Sequence, residues 1–467
     1  MADVPVVLDR TSRVPLAVQL AAGLRAGPGL RAGDRLPSTR ELASQLGVSR
    51  TVTAAAYDQL LAEGWVAARH GVGTFVVGSP LAAPATAVTA TAPGAAVLDL
   101  RPGAPCTEVL DPAAWRRAWR AAGDRPADVG YEAAGDPAFR AAVVEHLLRH
   151  RGLAPDPAAV LAAAGTSAAV AELAALLGPG ARVGVEDPGY RRAVGALRAA
   201  GVQVVPLPVD DDGLVVDAVP AGLDAVYCTP AHQFPLGGRL PAARRSALVA
   251  RARAEGFTVW EDDYDGELRY DVAPLPLLAA LAPDVVVHLG TASKVLTPTL
   301  GLGWLVAPPG VRAGLLERRT ATGQRPGRAG QRVFTALAAS GDLARHLRRL
   351  RRELADRRGL VRAAVTSAGR TTVGDAAGAH LVVPLPDRAT EAAVADELAG
   401  HDVAVGTLAE QRLVDARAGL VVGWAAPGRD ELGTALAVLS AVLSGGSSAA
   451  NAPSGTSRRG RRSSDAG

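Results

Sequence analysis

The stretch that decides the fold is HLGTASKVLTP, residues 288–298, which contains Lys294. Lysine and arginine together number 50, and Lys294 is the only lysine, so the other 49 are arginine. Arginine can replace lysine as a solvated cation, but its guanidinium stays protonated and forms no ordinary imine with an aldehyde. The stretch follows the apolar run 285–287, a pattern typical of a buried strand that ends in a loop. The alternative is that one lysine survives by chance on the surface. Because the position after a buried strand disfavours that alternative, we predict a Schiff-base lysine.

The composition sets the broad class of the protein. A chain of 467 residues is too long for one core, so two or more domains are expected. Hydrophobic residues make up 48% and charged residues 21%, with no apolar run of membrane-spanning length, which indicates a soluble, cytoplasmic protein. Two cysteines fit a reducing compartment and supply neither a disulfide framework nor a metal site. The formal charge of +4 does not by itself indicate nucleic-acid binding.

Two stretches of biased composition divide the chain. Residues 80–96 contain no charged or aromatic side chain and are predicted to be a flexible linker. Residues 444–467 are rich in Gly and Ser, contain four arginines near the end, and are predicted to be a disordered tail. Two folded domains remain, over residues 1–79 and 97–443.

The small domain shows the signals of two helices joined by a tight turn. An apolar face at i, i+4 and i+8 first predicts a helix over residues 15–26. Ser38 followed by Glu41 is a capping box, so a second helix is expected to begin at Ser38 and end at Gly47. Ser49 can cap the next helix.

That next helix has an apolar stripe, and its first turn faces away from the stripe. Val52, Ala56 and Leu60 are expected to face inward. The residues expected to point outward from the first turn are Ser49, Arg50, Thr51 and Thr53. Two short strands follow, over residues 65–69 and 74–77, around a Gly-containing loop.

These elements in this order describe a winged helix-turn-helix domain. In that geometry the second helix of the pair enters the major groove and its N-terminal residues lie nearest the base edges. Glycines in the wing let its backbone approach phosphate. The alternative is a small structural helical domain whose arginines are merely solvated. The ordered succession of a helix cap, a turn, a second cap and a glycine-containing wing disfavours this alternative.

The small domain closely resembles the GntR family of bacterial winged-helix regulators. The resemblance rests on LPSTRELASQLGVSR and GVGTFV and covers roughly residues 13–78. It implies DNA contacts from Arg40, Ser49, Arg50, Thr51, Thr53, His70 and Gly71.

The large domain alternates short apolar strands with Ala/Leu/Arg-rich helices. The expected strands are residues 181–185, 203–206, 225–228, 258–260 and 285–289. This alternation predicts an α/β fold with a mainly parallel sheet, whose ligands bind at the carboxyl ends of the strands.

Polar motifs follow those strands. They are Gly165-Thr166-Ser167 at the start of a helix, the stretch 187–190 with Tyr190, the stretch 229–233 with His232, the stretch 261–264 with Asp262 and Tyr264, and Lys294. A pyridine aldehyde cofactor needs a lysine for the imine, a carboxylate for the ring nitrogen, a donor near the phenolic oxygen, a stacked ring and a phosphate cradle. Each motif alone is weak evidence, because an acidic pair after a strand is often a solvated sheet edge, a tyrosine after Pro-Gly is often a turn residue, and a lone histidine is more often structural than catalytic. Together they indicate such a cofactor.

The order of these motifs resembles the fold-type I aminotransferases. TPAHQFPLGG, EDDYDGELRY, GTASK and SGDLARHLRRLRREL are similar to the MocR group, in which a GntR-type domain is fused to an aminotransferase-like domain. With the small domain included, the resemblance covers residues 13–443. It implies that Lys294 binds pyridoxal phosphate as an imine, Asp262 pairs with the ring nitrogen, Tyr264 and His232 approach the phenolic oxygen, and Tyr190 stacks on the ring. The phosphate would be bound by Thr166, Ser167, Thr291 and Ser293.

The chain departs from the pattern of related domains at two positions. An arginine that clamps the phosphate is expected seven residues after the lysine, where this chain has Gly301. An arginine that receives a substrate carboxylate is expected near the C-terminus, where this chain has Val421, with Arg417 four residues earlier as a substitute.

Three functions are compatible with these observations. The first is a transcription regulator that senses pyridoxal phosphate, or its adduct with an amine or amino acid, and binds a double-stranded operator as a homodimer. The second is an active transaminase with an attached DNA-binding domain, which Gly301 and Val421 disfavour. The third is a regulator whose large domain has lost the cofactor, which Lys294 disfavours.

Overall fold

The structure is a computed structural model that describes residues 6–26, 30–69, 72–77, 98–126, 130, 132–270 and 276–449. The chain divides into two compact units, Met1–Pro93 and Gly94–Gly467. The division falls within the segment predicted to be the linker, residues 80–96, which itself lies outside the described residues. The two units are described separately.

The small unit contains three helices and a two-stranded hairpin in its described part. They are α1 (Leu16–Ala26), α2 (Thr39–Leu46), α3 (Arg50–Ala62), β1 (Val66–Arg69) and β2 (Gly73–Val76). β1 and β2 pair antiparallel. This order confirms the predicted winged helix-turn-helix.

Local sequence signals account for the ends of α2. The Oγ of Ser38 accepts a hydrogen bond from the Glu41 backbone N–H at 3.2 Å, and the Glu41 carboxylate accepts one from the Ser38 N–H at 3.0 Å. Gly47 ends the helix in the left-handed region at φ +61°, which a residue without Cβ adopts at little cost. The capping box and the turn glycine therefore form as predicted.

The large unit contains an eight-stranded sheet. Its strands are β4 (Val160–Ala163), β5 (Arg182–Asp187), β6 (Gln203–Asp210), β7 (Gly213–Leu214), β8 (Ala225–Cys228), β9 (Thr258–Asp262), β10 (Val286–Thr291) and β11 (Gly303–Val306). They lie in the order β4-β11-β10-β9-β8-β5-β6-β7. The five central strands, from β10 to β6, are parallel, while β11 and β7 are antiparallel to their neighbours. The predicted mainly parallel α/β sheet is confirmed.

A second, four-stranded sheet gathers the two ends of the unit. Its strands are β3 (Leu98–Leu100), β12 (His380–Leu385), β13 (Val403–Thr407) and β14 (Ala418–Gly423), in the order β12-β14-β13-β3. β3 pairs in parallel with β13 although about 300 residues separate them along the chain. The N-terminal strand of the unit therefore belongs to its C-terminal sheet.

Twelve helices cover the two sheets in the described part of the unit. They are α4 (Pro112–Gly123), α5 (Pro137–Arg151), α6 (Thr166–Leu177), α7 (Arg191–Ala199), α8 (Ala242–Glu255), α9 (Leu278–Leu281), α10 (Pro309–Thr322), α11 (Arg328–Ala339), α12 (Asp342–Ser367), α13 (Arg388–Gly400), α14 (Leu408–Gln411) and α15 (Arg429–Ala449). No helix in the described ranges is long and apolar enough to cross a membrane. α15 continues past residue 443, where the sequence placed the end of the domain, and the remainder of the predicted tail lies outside the described residues.

The parallel strands bring their carboxyl ends to one edge of the large sheet. β5 ends at Asp187, β9 at Asp262 and β10 at Thr291. Because β8, β9 and β10 are neighbours in parallel register, the loops that follow them lie side by side. This edge is where the polar motifs predicted from the sequence meet.

Candidate functional sites

The exposed surface around the start of α3 is the candidate DNA-binding surface of the small unit. Arg40 on α2, and Ser49, Arg50 and Thr51 at the start of α3, are all exposed. The side chains of Ser49 and Thr51 form a hydrogen bond at 2.7 Å. The structure therefore brings four of the seven predicted contact residues to accessible positions at or near one helix end.

The outward position predicted for Thr53 is wrong. Its side chain is fully buried, and its hydroxyl hydrogen-bonds with the carbonyl oxygens of Thr39 at 2.8 Å and Arg50 at 3.0 Å. Ser49 occupies the N-cap position of α3, but its side chain makes no capping hydrogen bond, because its hydroxyl is paired with Thr51. Thr53 therefore joins α3 to α2 from within the core.

The wing supplies a further cation. The Arg69 guanidinium lies over the Phe75 ring, 4.9 Å from its centroid. Arg35 forms an isolated antiparallel bridge with Phe75, so the segment before α2 pairs with the edge of β2. The other two predicted contact residues, His70 and Gly71, lie outside the described residues.

Lys294 lies in the turn that follows β10, at the edge of the large sheet described above. Its Nζ donates a hydrogen bond to the Gly103 carbonyl oxygen. Burial lowers the pKa of the Lys294 ammonium group, while the charges of Asp265 and Asp262 raise it. The amine is therefore partly enclosed and lies among carboxylates.

Asp262 ends β9 and is buried. Its Oδ2 accepts a hydrogen bond from the Tyr227 hydroxyl, and its Oδ1 accepts one from Thr166 at 3.4 Å. Burial raises the pKa of the Asp262 carboxyl to about 7, because the ionised form loses its hydration. The solvated sheet edge considered for this acidic motif is excluded, since the neighbouring Glu261 and Asp263 are buried as well.

His232 and Tyr264 form a hydrogen-bonded pair beside Asp262. The Tyr264 hydroxyl lies 2.9 Å from the Nδ1 of His232, and the two rings stack with centroids 6.0 Å apart and planes 26° apart. The same Nδ1 lies 2.8 Å from Oδ2 of Asp265. The structure therefore places both predicted neighbours of the phenolic oxygen together.

Tyr190 and Ser167 also meet at this edge of the sheet. The Tyr190 hydroxyl and the Ser167 Oγ lie 3.0 Å apart, although the residues follow different strands. The Tyr190 ring also contacts the Phe234 ring edge-on, at 6.2 Å between centroids. Two of the predicted cofactor contacts are therefore neighbours.

The predicted phosphate contacts come from the first turn of α6 and the end of β10. The backbone N–H groups in the first turn of a helix lack helical partners and can bind an anion. The Thr291 Oγ1 donates to the Ser293 Oγ at 3.0 Å. Gly165 precedes α6 and has φ +119°. It lies close to Thr291, because a Cβ added to Gly165 would be 3.9 Å from the Thr291 Oγ1. Both parts of the predicted cradle are therefore adjacent.

Gly301 and Val421 stand where related domains have arginine, and the structure shows the surroundings of both. Gly301 has φ +54°, and an added Cβ there would have no atom within 4 Å. Val421 is fully buried on β14 among apolar side chains. The Arg417 guanidinium forms an ion pair with Asp415 at 2.8 Å and also donates to the Val209 carbonyl oxygen. Its charge is thus compensated within the chain.

Sequence reasoning missed several residues of this site. They are Gly103, which accepts from Lys294; Tyr227, which donates to Asp262; Asp265, which pairs with His232; and Arg192, whose charge lowers the pKa of Lys294. Asp265 lies in the same acidic motif as Asp262, so its spacing from Tyr264 was an available signal. Gly103 is about 190 residues from Lys294 in the sequence, and no local pattern connects them.

These residues fit a pyridine aldehyde cofactor. The Asp262 carboxyl has neutral hydroxyl donors and a pKa raised to about 7, so an ionised pyridine N–H would supply the cationic partner that favours its charged form. Lys294 provides the amine and Tyr190 an aromatic ring. Bound there, the cofactor supplies a conjugated aldehyde that captures amines.

Comparison with known proteins assigns each unit. Residues 19–76 match the family model described as bacterial regulatory proteins, gntR family. Residues 95–418 match the model described as aminotransferase class I and II. The kynurenine aminotransferase of Pyrococcus horikoshii has the fold of the large unit, with a TM-score of 0.68, 23% identity, and 76% of this chain and 92% of that chain covered.

Two relatives match most of the chain. The HTH-type pyridoxine biosynthesis transcriptional regulator PdxR of Corynebacterium glutamicum is 36% identical over 95% of this chain and 99% of its own length. The probable rhizopine catabolism regulatory protein MocR of Rhizobium meliloti is 34% identical over 75% of this chain and 77% of its own. The chain therefore belongs to the MocR/PdxR-type regulators of the GntR family, helix-turn-helix transcription regulators that carry an aminotransferase class I and II domain.

Proposed function

We propose that this regulator binds pyridoxal phosphate, or the adduct of pyridoxal phosphate with an amine or amino acid, as the effector that controls its binding to DNA. The observation on which this rests is the meeting of Lys294, Asp262 and the His232–Tyr264 pair at one edge of the sheet. An arginine in place of Lys294 could not form the covalent bond. The position of the single lysine of the chain therefore supports the proposal.

The chain's own residues would hold each part of the cofactor. Asp262 would pair with the ring nitrogen, Tyr190 would stack on the ring, and Tyr264 would donate to the phenolic oxygen. Thr166 and Ser167, with Thr291 and Ser293, would bind the phosphate. Without an arginine at position 301, the phosphate would lack one bidentate charge-assisted pair, which is consistent with reversible binding of an effector.

A working transaminase is the second candidate function. It is supported by the same lysine, aspartate and tyrosine, which could also serve catalysis. It is disfavoured because neither candidate position offers a free cation for a substrate carboxylate. Val421 is apolar and buried, and Arg417 forms an ion pair with Asp415. Turnover of an amino acid with a keto acid at a useful rate would favour this function over sensing.

Absorbance tests the cofactor part of the proposal. Purified full chain mixed with pyridoxal phosphate is expected to develop a visible absorbance band from the lysine-bound cofactor. Lys294→Arg keeps a positive charge at the position and forms no imine, so it is the matched control and should show no band. A missing band in the natural chain, or the same band in Lys294→Arg, would refute covalent binding at Lys294.

For the DNA part, we propose that the first turn of α3 contacts base edges. Ser49, Arg50 and Thr51 are exposed there, and Arg40 is exposed on α2. Thr53 is left out because its side chain is buried. Two such domains in a homodimer would bind two half-sites of an operator. His70 and Gly71 remain predicted wing contacts to the backbone of the operator.

A further inference from the structure

The segment of the small unit that precedes α1 has no role in the functions described above. It is held against α1 by the side chain of Gln19. The Gln19 Nε2 donates to the carbonyl oxygens of Asp9 at 2.9 Å and Val14 at 2.7 Å, and the Gln19 Oε1 accepts from the Asp9 N–H at 2.9 Å. Three hydrogen bonds from one side chain therefore fix both ends of the segment 9–14.

The backbone within this segment is fixed by local hydrogen bonds as well. The Asp9 Oδ1 accepts hydrogen bonds from the Thr11 N–H at 2.8 Å and from the Thr11 hydroxyl at 2.6 Å. The Ser12 hydroxyl accepts one from the Val14 N–H at 3.2 Å. Arg10 therefore lies in a segment with a defined conformation, and the neighbouring carboxylate of Asp9 is bound to Thr11.

Arg10 reaches the turn between α2 and α3. Its Nη2 donates a hydrogen bond to the Gly47 carbonyl oxygen at 2.7 Å. Gly47 ends α2, and Ser49, the N-cap of α3, follows two residues later. Two residues span at most about 7 Å of backbone. The Arg10 guanidinium therefore lies close to the helix end that is proposed to contact base edges.

The charge of Arg10 is available to an anionic partner. Arg10 is exposed, and no ion pair among the described residues involves it. A guanidinium has five N–H donors, and the hydrogen bond to Gly47 uses one of them. The remaining donors suit the oxygens of a phosphate, which arginine binds with two parallel hydrogen bonds. A second exposed cation, Arg50, is the first residue of α3.

Double-stranded DNA presents phosphates close to a helix that lies in its major groove. The groove is about 12 Å wide, and the two phosphate backbones form its edges. If the N-terminal residues of α3 contact base edges, a cation beside the preceding turn lies near one of these backbones. A contact to phosphate fixes the register of the protein on the duplex and adds affinity that does not depend on base sequence.

We propose that Arg10 binds a backbone phosphate of the operator, at the edge of the major groove that α3 enters. This inference rests on the proposed contact between the first turn of α3 and base edges. Because the contact is made to phosphate, Arg10 would strengthen binding to the operator and to unrelated DNA by the same factor.

The salt dependence of DNA binding tests this contact in the full chain. Each neutralised phosphate contributes about 0.9 to the slope of log affinity against log salt concentration. Arg10→Gln should bind the DNA upstream of the chain's own gene more weakly, with a slope that is less steep by about 0.9 per bound small unit. The advantage of the natural chain should then shrink about 3.5-fold when the salt concentration is raised fourfold. An unrelated duplex of the same length should show the same changes.

Two further variants separate the phosphate contact from a structural role of Arg10. Arg10→Lys keeps the charge and should keep the slope of the natural chain, whereas a purely structural role would alter stability without altering the slope. Arg25→Gln is the matched control, because Arg25 pairs with Glu63 at 3.0 Å, at the opposite end of α3 from Ser49. α3 has 13 residues and is about 20 Å long, so Arg25 lies beyond the Debye length of about 10 Å in 0.1 M salt. Its replacement should leave the slope unchanged.

The outcomes distinguish this inference from the proposed function. An equal slope in Arg10→Gln and the natural chain would overturn the contact, and so would an equal reduction of the slope in Arg25→Gln. If Arg10→Gln does not fold, as judged by circular dichroism, Arg10→Met is titrated with the same expectation, because methionine keeps an unbranched stem without the charge. Failure of the natural chain to bind either duplex would refute the proposed function itself.

Discussion

Replacing Gly301 by arginine is expected to tighten cofactor binding and to destabilise the fold, and the structure separates the two effects. An added Cβ at position 301 meets no atom within 4 Å, so the first atom of a side chain there causes no clash. The backbone there has φ +54°, however, where a side chain costs about 1–2 kcal/mol. This strain is present with and without cofactor, so it lowers the free energy of unfolding and leaves the binding constant unaffected.

The gain in binding comes from a new ion pair with the phosphate. A charge-assisted hydrogen-bonded pair contributes about 1.5–3 kcal/mol, which corresponds to roughly 10- to 150-fold tighter binding of pyridoxal phosphate. Gly301→Ala is the matched control, because it has the same backbone strain without the guanidinium. It should lose about 1–2 kcal/mol of stability and bind the cofactor as the natural chain does.

Two measurements test this reasoning. Titration of the visible band gives the dissociation constant, and urea unfolding of the cofactor-free chain gives the stability. Equal or weaker cofactor binding by Gly301→Arg would refute the view that this position lacks a phosphate ligand. Equal stability of Gly301→Ala and the natural chain would refute the assignment of strain.

Three further predictions concern other parts of the molecule. Arg50→Ala should abolish specific operator binding in a gel-shift assay while the visible cofactor band stays intact; unchanged operator affinity would contradict the assignment of α3. Thr53→Val should lower the free energy of unfolding of the small unit by about 1–3 kcal/mol, because its buried hydroxyl hydrogen bonds are lost; no change on urea unfolding would contradict this. Burial raises the pKa of Asp262 to about 7, so between about pH 4 and pH 7 the folded chain without cofactor retains a proton that the unfolded chain has lost. Stability should therefore fall as pH rises through this range, by up to about 1.4 kcal/mol per unit from this group, and Asp262→Asn should flatten the slope measured by urea unfolding at several pH values.

Local patterns were sufficient to predict many of the helices and strands and the edge of the sheet at which the polar motifs meet. The capping box at Ser38 and the turn at Gly47 depend on residues within a few positions of each other, and both form as predicted. The carboxyl ends of parallel strands meet at one edge, so the motifs after β9 and β10 were predicted to converge without any coordinates.

The sequence did not predict the direction of individual side chains or the hydrogen bonds between residues far apart in the chain. The apolar stripe of α3 predicts an outward Thr53, but a threonine whose hydroxyl bonds two carbonyl oxygens can be buried. Tyr227 and Asp262 are 35 residues apart and meet only through the register of β8 with β9. The pairing of Arg417 with Asp415 likewise depends on side-chain conformation, which spacing does not determine.

The most direct test of the central claim is footprinting of the DNA upstream of the chain's own gene, with and without pyridoxal phosphate, using the natural chain and Lys294→Arg. If the cofactor at Lys294 controls DNA binding, addition of pyridoxal phosphate will change the footprint of the natural chain. Either the length of DNA protected or the protein concentration needed for protection will change. The footprint of Lys294→Arg will not change. A footprint that is the same with and without cofactor in the natural chain, or that responds equally in Lys294→Arg, would contradict the account.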